Sequence, residues 1–175
     1  GPYPLGYHGL GDVFVFVFFG VVAVTGTYYV QATEVLVGSP LPTTIPSGTF
    51  PVEAFFASLT MAGISTNVLV VNNIRDMETD REAGKRTLAV RLGYSGSRAQ
   101  YVSLLALAYL VPPVLWLGYG FSPTVLAPLV TLPYSVVLTR TILERTDGDA
   151  LNPALERTGK LLAVFAVLFG VGLAV

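Results

Sequence analysis

The chain has 175 residues, of which 53% are apolar and 12% are charged, and this indicates an integral membrane protein because soluble domains carry about 25% charged residues. The formal net charge is −1, and the sequence lacks the basic patch that nucleic-acid binding requires. The chain has no cysteine and one histidine, His8, which excludes a disulfide framework, a thiol nucleophile and a metal site built from Cys or several His side chains.

Five apolar segments are long enough to cross a bilayer, whose hydrocarbon core of about 30 Å needs about 20 residues of helix. The apolar runs are continuous and lack the alternation of barrel strands, which favours helices. We therefore predict an all-α integral membrane fold with one membrane domain over residues 1–175. The predicted spans are residues 12–31, 52–74, 99–118, 123–141 and 158–175.

The connection after the first span, ATEVLVGSPLPTTIPSGTFPVE, is rich in Pro, Gly, Ser and Thr and is longer than a routine loop. It is expected either to be ordered against the protein or to form a mobile flap.

The basic residues predict the orientation of the spans. Residues 1–74 contain no Lys or Arg, six of the ten basic residues lie from Arg75 to Arg98, and four lie from Arg140 to Lys160. These two clusters follow the second and fourth spans and therefore lie on one side of the membrane. We predict that this side, and the N-terminus of the chain, are cytoplasmic.

A densely charged segment, NNIRDMETDREAGKRTLAV, begins at residue 72, directly after the apolar run VLVV. Asp76 and Asp80 are four residues apart, so both carboxylates project from one face of a helix. Two like charges at this spacing repel each other unless a cation lies between them. Mg²⁺ is the natural partner, because it takes oxygen ligands and is held by one or two carboxylates plus substrate phosphates. Asn72 and Asn73 add amide oxygens one turn earlier.

Basic residues follow the acid pair after Gly84, which can end the helix and turn the chain back. Lys85 and Arg86 suit phosphate oxygens, the first as a point charge and the second as a bidentate fork. Arg75 would supply a third positive group. The segment therefore predicts a magnesium–diphosphate site at the end of a transmembrane helix, with the apolar tail of the ligand in the membrane.

A simpler interpretation is a solvated helix end, because charged residues are common beside membrane spans and the DxxxD pattern is short. The pairs that would form such a surface network are Asp76 with Arg75, Glu78 with Arg81, and Glu82 with Arg86.

Three stretches resemble a known family. NNIRDMETDREAGKRTLAVRLG resembles the second aspartate-rich motif of the UbiA superfamily of intramembrane prenyltransferases. GPYPLGYHGLGDVFVFVFFG at 1–20 and GTYYVQ at 26–31 are similar to its menaquinone-pathway branch, the 1,4-dihydroxy-2-naphthoate polyprenyltransferases (MenA) and their animal relative.

The resemblance implies nine transmembrane helices around a central cavity open toward the lipid, with two aspartate-rich motifs that face each other across it. This chain carries only the second motif, so its five spans would correspond to helices five to nine. The N-terminal helices of the same enzyme would then be its partner, and alone the chain is expected to be inactive. The implied location is a bacterial or archaeal cell membrane.

The resemblance also implies a mechanism. Mg²⁺ would link an allylic polyprenyl diphosphate to Asp76 and Asp80, with Asn73 or Asn72 assisting. Lys85 and Arg86 would neutralise the leaving diphosphate, and an electron-rich aromatic ring would attack the allylic carbocation. With 1,4-dihydroxy-2-naphthoate as the acceptor, CO₂ is lost and a menaquinone precursor forms.

Substrate contacts are predicted for Tyr28, Gln31, Tyr7 and Asn67. Tyr29 and Phe18 are further aromatic candidates, and His8 is expected to be an incidental loop residue. Asp12 is expected to cap the first helix, although it could orient the acceptor. Asn67 is costly inside a membrane without a partner, so it is expected to bond another helix or to line the cavity.

Other functions stay open from the sequence. Within the superfamily the acceptor could be 4-hydroxybenzoate, haem, homogentisate or a glycerol phosphate. A membrane transporter or cation channel would place ionisable residues or broken helices near the bilayer midplane, whereas here the charges lie at the ends of spans. A non-catalytic membrane scaffold would need no ordered acid pair.

Overall fold

The computed structural model describes residues 4–175, and within this range it consists of helices joined by irregular connections, without a strand. The predicted all-α class is therefore confirmed. A single 3₁₀ turn, Leu5–His8, comes first. The helices that follow are α1 (Gly11–Val37), α2 (Val52–Arg75), α3 (Met77–Glu82), α4 (Leu88–Tyr119), α5 (Pro123–Glu144, with a 3₁₀ first half) and α6 (Gly148–Ala174).

All of these helices except the short α3 are long and apolar enough to cross a membrane, which confirms the five predicted spans. Two helices begin well before the spans predicted within them: α4 begins at Leu88, with a kink at Gly93, and α6 begins at Gly148, against the predicted residues 99 and 158. The reason is that hydropathy follows only the apolar part of a helix, whereas a side-chain cap determines where it begins. The Thr87 hydroxyl accepts from the Val90 amide at 3.4 Å, and the Asp147 carboxylate accepts from the Ala150 amide at 3.0 Å.

The middle of α1 is a π-helical segment, Val15–Val22, flanked by α-helical turns. Gly20 in this segment touches α2 so closely that an added Cβ would lie 2.2 Å from the Ala62 Cα. The backbones of the two helices are therefore in direct contact. Segments of π-helix are rare and occur frequently at functional sites, and this one lies one turn beyond Asp12.

Helix α2 is the central helix and packs against α1, α4 and α6. Its buried side chains, such as Ile64 and Val71, join Tyr101 and Leu115 of α4 and Phe165 of α6 in one core. By contrast, only 11% of the most apolar 18-residue stretch of α1 is buried, against 50% of the corresponding stretch of α2. The outer side of α1 is thus an open apolar face.

The order of the helices along the chain places the charged segments at one end of the bundle, which we call the charged end. It comprises the start of α1, the α2–α3–α4 connection and the α5–α6 connection. Arg75 ties α2 to α6 here, because its Nη1 donates to Asn152 Oδ1 at 3.0 Å. Arg98 of α4 donates to the carbonyl oxygens of Ile142 and Arg145 at 3.1 and 3.0 Å, which fixes the end of α5.

The proline-rich connection between α1 and α2 lies at the opposite end. The Thr33 hydroxyl donates to the Pro40 carbonyl at 3.0 Å, and the Phe50 ring stacks on Tyr29 with a centroid separation of 5.3 Å. Of the two expectations for this connection, the structure shows the ordered one.

Candidate active site

A cavity of about 210 Å³ opens at the charged end. It is bordered by the Leu5–His8 turn, the start of α1, the end of α2 and the chain from α3 to α4. Six predicted residues line it, five from the charged segment (Asn72, Asn73, Asp76, Asp80 and Lys85) and one, Tyr7, from the start of the chain.

The acid pair keeps its spacing across a break in the helix. α2 ends at Arg75, Asp76 adopts φ −92° and ψ 7°, and α3 follows at once. The Asp80 amide still donates to the Asp76 carbonyl at 2.8 Å, so one helical turn separates the two carboxylates and both line the cavity. Gly84, with φ 72°, then reverses the chain, a left-handed conformation that glycine adopts without steric cost.

Lys85 is held over the cavity by two partners. Its Nζ donates to Asp80 Oδ1 at 2.8 Å and lies 5.5 Å from the centroid of the Tyr7 ring. The hydrogen bond to Asp80 raises the pKa of the Lys85 ammonium. The Arg86 amide donates to the Tyr7 carbonyl at 2.9 Å and fixes the turn that carries the ring. An ammonium has three donors, and Lys85 therefore retains donors for an anion.

Asp76 is bound in a bidentate manner by its neighbour Arg75, with Nε to Oδ1 at 2.7 Å and Nη2 to Oδ2 at 2.8 Å. This contact holds the pKa of the Asp76 carboxyl below its ordinary value, against an opposing effect of desolvation. Arg75 also donates to Asn72 Oδ1 at 2.9 Å. Arg75 therefore holds the Asp76 carboxylate in place, and it is not among the residues that line the cavity.

Asp12 is a third carboxylate in the cavity wall, and orienting the acceptor was only the second of the two expectations for it. Its expected role as a helix cap is wrong: the N-cap of α1 is Leu10, which has no side-chain cap bond, and Asp12 is already inside the helix. Asp12 is only 4% exposed and its Oδ1 accepts from Asn73 Nδ2 at 3.3 Å. A sequence signal did exist, because a carboxylate at the start of an apolar span needs a polar partner.

A second, apolar cavity of about 200 Å³ adjoins the first. Asp12 and Leu88 line both cavities, so they form the boundary between them. The other lining residues of the second cavity are Val13, Phe16, Thr66, Gln100 and Leu104. The charged cavity therefore has an apolar cavity directly beside it.

The donor set of the first cavity suits Mg²⁺. Within residues 4–175 no group of three or more His, Cys, Asp or Glu side chains could hold an ion by itself. Mg²⁺, however, is usually bound by one or two carboxylates together with substrate phosphates and water, and Asp76 and Asp80 provide that number. The Asp12 carboxylate can only accept, so it turns the Nδ2 of Asn73 toward itself and leaves the Asn73 carbonyl oxygen for a cation.

The remaining predicted residues lie elsewhere. Arg86 is exposed beside the cavity and its carbonyl accepts from Arg91. Tyr28 and Gln31 lie about 24 and 28 Å along α1 from Asp12, at about 1.5 Å per residue, and line cavities at the opposite end. Their substrate contacts stay predictions.

Two further predictions concern residues in the spans. Asn67 is fully buried and its Nδ2 donates to the Tyr101 carbonyl of α4 at 3.0 Å. It therefore bonds another helix, the first of the two expectations for it, and does not line either cavity. Phe18 is 52% exposed and stacks on Phe14 on the outer side of α1. The resemblance at 1–20 includes residues 1–3, which lie outside the described part of the chain.

Comparisons of this sequence with known proteins agree on one family. The sequence profile of the UbiA prenyltransferase family matches residues 2–163. The 1,4-dihydroxy-2-naphthoate octaprenyltransferase of Mycobacterium tuberculosis is 39% identical over 168 residues, which cover 95% of this chain and 51% of that protein. The protein of the same name from Escherichia coli is 36% identical over 178 residues, covering 99% of this chain and 51% of the relative.

A human relative, UbiA prenyltransferase domain-containing protein 1, is 35% identical over 167 residues, covering 95% of this chain and 43% of the relative. The chain thus spans about half the length of the curated relatives that it matches. No solved structure matches it significantly.

Proposed function

The chain belongs to the UbiA prenyltransferase family, and from this premise we propose that it forms one half of the catalytic centre of a Mg²⁺-dependent enzyme that transfers a polyprenyl group from its diphosphate to 1,4-dihydroxy-2-naphthoate. The observation that carries the proposal is that six predicted residues line one charged cavity with an apolar cavity beside it. Transfer from a prenyl diphosphate to an aromatic ring requires a charged site for the diphosphate and an apolar site next to it.

The diphosphate would bind in the charged cavity. Asp76 and Asp80, with the amide oxygen of Asn73, are the residues that would hold Mg²⁺, whereas the predicted ligand Asn72 already accepts from Arg75 through its amide oxygen. When bound, Mg²⁺ supplies positive charge that neutralises the diphosphate as a leaving group. Two carboxylates alone would repel the diphosphate, so binding through the cation explains why acidic residues line a site for an anion.

Lys85 would act on the leaving group directly. Its ammonium is held by Asp80 and lies near the Tyr7 ring before any ligand arrives. A donor that is already oriented stabilises the charge that develops on the diphosphate as the allylic C–O bond breaks. Arg86, exposed at the rim, would add positive potential, and Arg75 would act through Asp76.

The acceptor ring would then form the new bond. The ring carbon that bears the carboxylate attacks the allylic carbon, the carboxylate leaves as CO₂, and its bonding electrons restore the aromatic ring. Diphosphate is the second product. The product hydroquinone is a precursor in menaquinone biosynthesis. The apolar walls of the second cavity would exclude water from the allylic cation during this step.

The rest of the catalytic centre would come from the part of the relatives that this chain does not cover. The open apolar face of α1 supports a packing site for further helices, because only 11% of the most apolar stretch of this helix is buried. In the family a first aspartate-rich motif faces the second, and these helices would carry it. The charged end would face the cytoplasm.

The experiment that tests the proposal is prenyl transfer to 1,4-dihydroxy-2-naphthoate by membranes that contain the full-length protein. Asp76→Ala and Asp80→Ala are each expected to lower Mg²⁺-dependent product formation by about 100-fold or more. Asp149→Ala, an exposed acid at the start of α6, is the matched control and is expected to be fully active. Full activity of both Asp76→Ala and Asp80→Ala, at equal expression, would refute the site.

A further inference from the structure

Asp12 is a buried carboxylate that the proposed diphosphate chemistry does not use. It is 4% exposed, and none of the ion pairs among residues 4–175 includes it. Asn73 is its side-chain hydrogen-bond partner and occupies Oδ1. The backbone amide of Asp12 is a second donor to its side chain. A carboxylate has about four lone-pair sites, so with two neutral donors and no cation Asp12 can accept a further hydrogen bond, which would lower the cost of burying its charge.

The position of Asp12 indicates which ligand would supply a further donor. Asp12 lies at the boundary between the charged cavity and the apolar cavity. Val13, Phe16 and Leu104 give the second cavity the apolar walls that a flat aromatic ring requires. A ring placed there would lie directly beside the diphosphate site, where the allylic carbon must be.

The negative charge of the Asp12 carboxylate excludes the diphosphate as its ligand. A diphosphate oxygen would repel Asp12, and within residues 4–175 no group of three acidic side chains is placed to share one metal ion. A hydroxyl on an aromatic ring is different, because it is a good donor and a carboxylate can only accept.

We propose that Asp12 binds a phenolic hydroxyl of the aromatic acceptor, whose ring occupies the apolar cavity. The inference rests on the proposed function and adds the residue that orients the acceptor. With 1,4-dihydroxy-2-naphthoate, the carboxylate of the acceptor is repelled by Asp12. The hydroxyl at position 4, which is not adjacent to the carboxylate on the ring, is therefore the one that donates to Asp12.

The proposal is tested by equilibrium binding to the purified full-length protein under anaerobic conditions, without Mg²⁺ or prenyl diphosphate. The two probes are 1,4-dihydroxy-2-naphthoate and 1-hydroxy-2-naphthoate, which lacks the hydroxyl at position 4. Asp12→Ala is expected to weaken binding of the first probe by about 10- to 100-fold, the range for a hydrogen bond to a charged group. Binding of the second probe is expected to stay within about twofold of the unsubstituted protein.

Two further variants keep the result interpretable. Asp12→Asn has nearly the same shape and is expected to lose part of the preference for the dihydroxy probe. Asp149→Ala, exposed on the same side of the bundle, is expected to bind both probes normally. Thermal unfolding and binding of prenyl diphosphate with Mg²⁺ show whether each variant is folded.

The outcomes separate the two proposals. Loss of the preference for the dihydroxy probe in a folded Asp12→Ala protein supports the inference. Equal weakening of both probes, or a changed Mg²⁺ requirement with unchanged probe binding, overturns it and assigns Asp12 to the support of Asn73. If the unsubstituted protein neither binds nor prenylates 1,4-dihydroxy-2-naphthoate, the proposed function itself fails.

Discussion

The contact between Gly20 and Ala62 gives the sharpest test of the fold. A Cβ added at Gly20 would lie 2.2 Å from both the Cα and the Cβ of Ala62, whereas carbon atoms in contact are about 3.5 to 4.0 Å apart. In Gly20→Ala, α1 must therefore move away from α2 by more than about 1 Å. Overpacking of this kind costs about 1 to 3 kcal/mol.

Gly26→Ala is the matched control, because it lies in the same helix and an added Cβ meets nothing within 4 Å. It is expected to be neutral or slightly stabilising, since alanine in a helix is favoured over glycine by about 0.5 to 1 kcal/mol. Thermal unfolding of the purified full-length protein in detergent compares the two. A Gly20→Ala protein that unfolds at the same temperature as Gly26→Ala would refute the close packing of α1 on α2.

Three further predictions follow from the site and the spans. Lys85→Met is expected to lower kcat/KM for the prenyl diphosphate by about 10- to 100-fold and to leave acceptor binding unchanged, as steady-state kinetics with each substrate varied would show. Arg75→Gln removes the group that lowers the pKa of Asp76. The stability from the ionised Asp76 carboxylate is present at neutral pH and is lost as the pH falls through its pKa. Without Arg75 this pKa rises, so unfolding measured as a function of pH should begin at a higher pH on the acid side. Asn67→Leu is expected to keep the KM of both substrates, because Asn67 is fully buried and away from both cavities; a raised acceptor KM in a stable protein would instead support its predicted substrate contact.

The fold class was predictable because it depends on hydropathy, which is a local property of the sequence. The charged motif was predictable for a similar reason: Asp76 and Asp80 are one helical turn apart, and their spacing survives the break between α2 and α3. Tyr7 could be included only through the resemblance, since the turn that carries it reaches the cavity by a backbone hydrogen bond from Arg86.

The role of Asp12 could not be read from the sequence in the same way. Its partner Asn73 is on the neighbouring helix, 61 residues along the chain, and their contact depends on how closely α1 packs on α2. The packing in turn depends on Gly20, which the sequence shows only as one small residue in an apolar run. Gln31 shows the opposite case, because it shares a predicted span with Asp12 yet lies about 28 Å from it along the helix.

The alternation of acids and bases in the charged segment has a physical consequence for the proposed site. Without ligand, Asp76 pairs with Arg75 and Asp80 pairs with Lys85, so the mostly buried Asp80 is not left uncompensated. With Mg²⁺ and a diphosphate bound, Asp80 would help to hold the cation, and the ammonium of Lys85 would be free to donate to a phosphate oxygen. Each charge then exchanges one partner for another, which avoids the large cost of an unpaired buried charge. A site with acids alone would repel the diphosphate, and one with bases alone could not hold the metal.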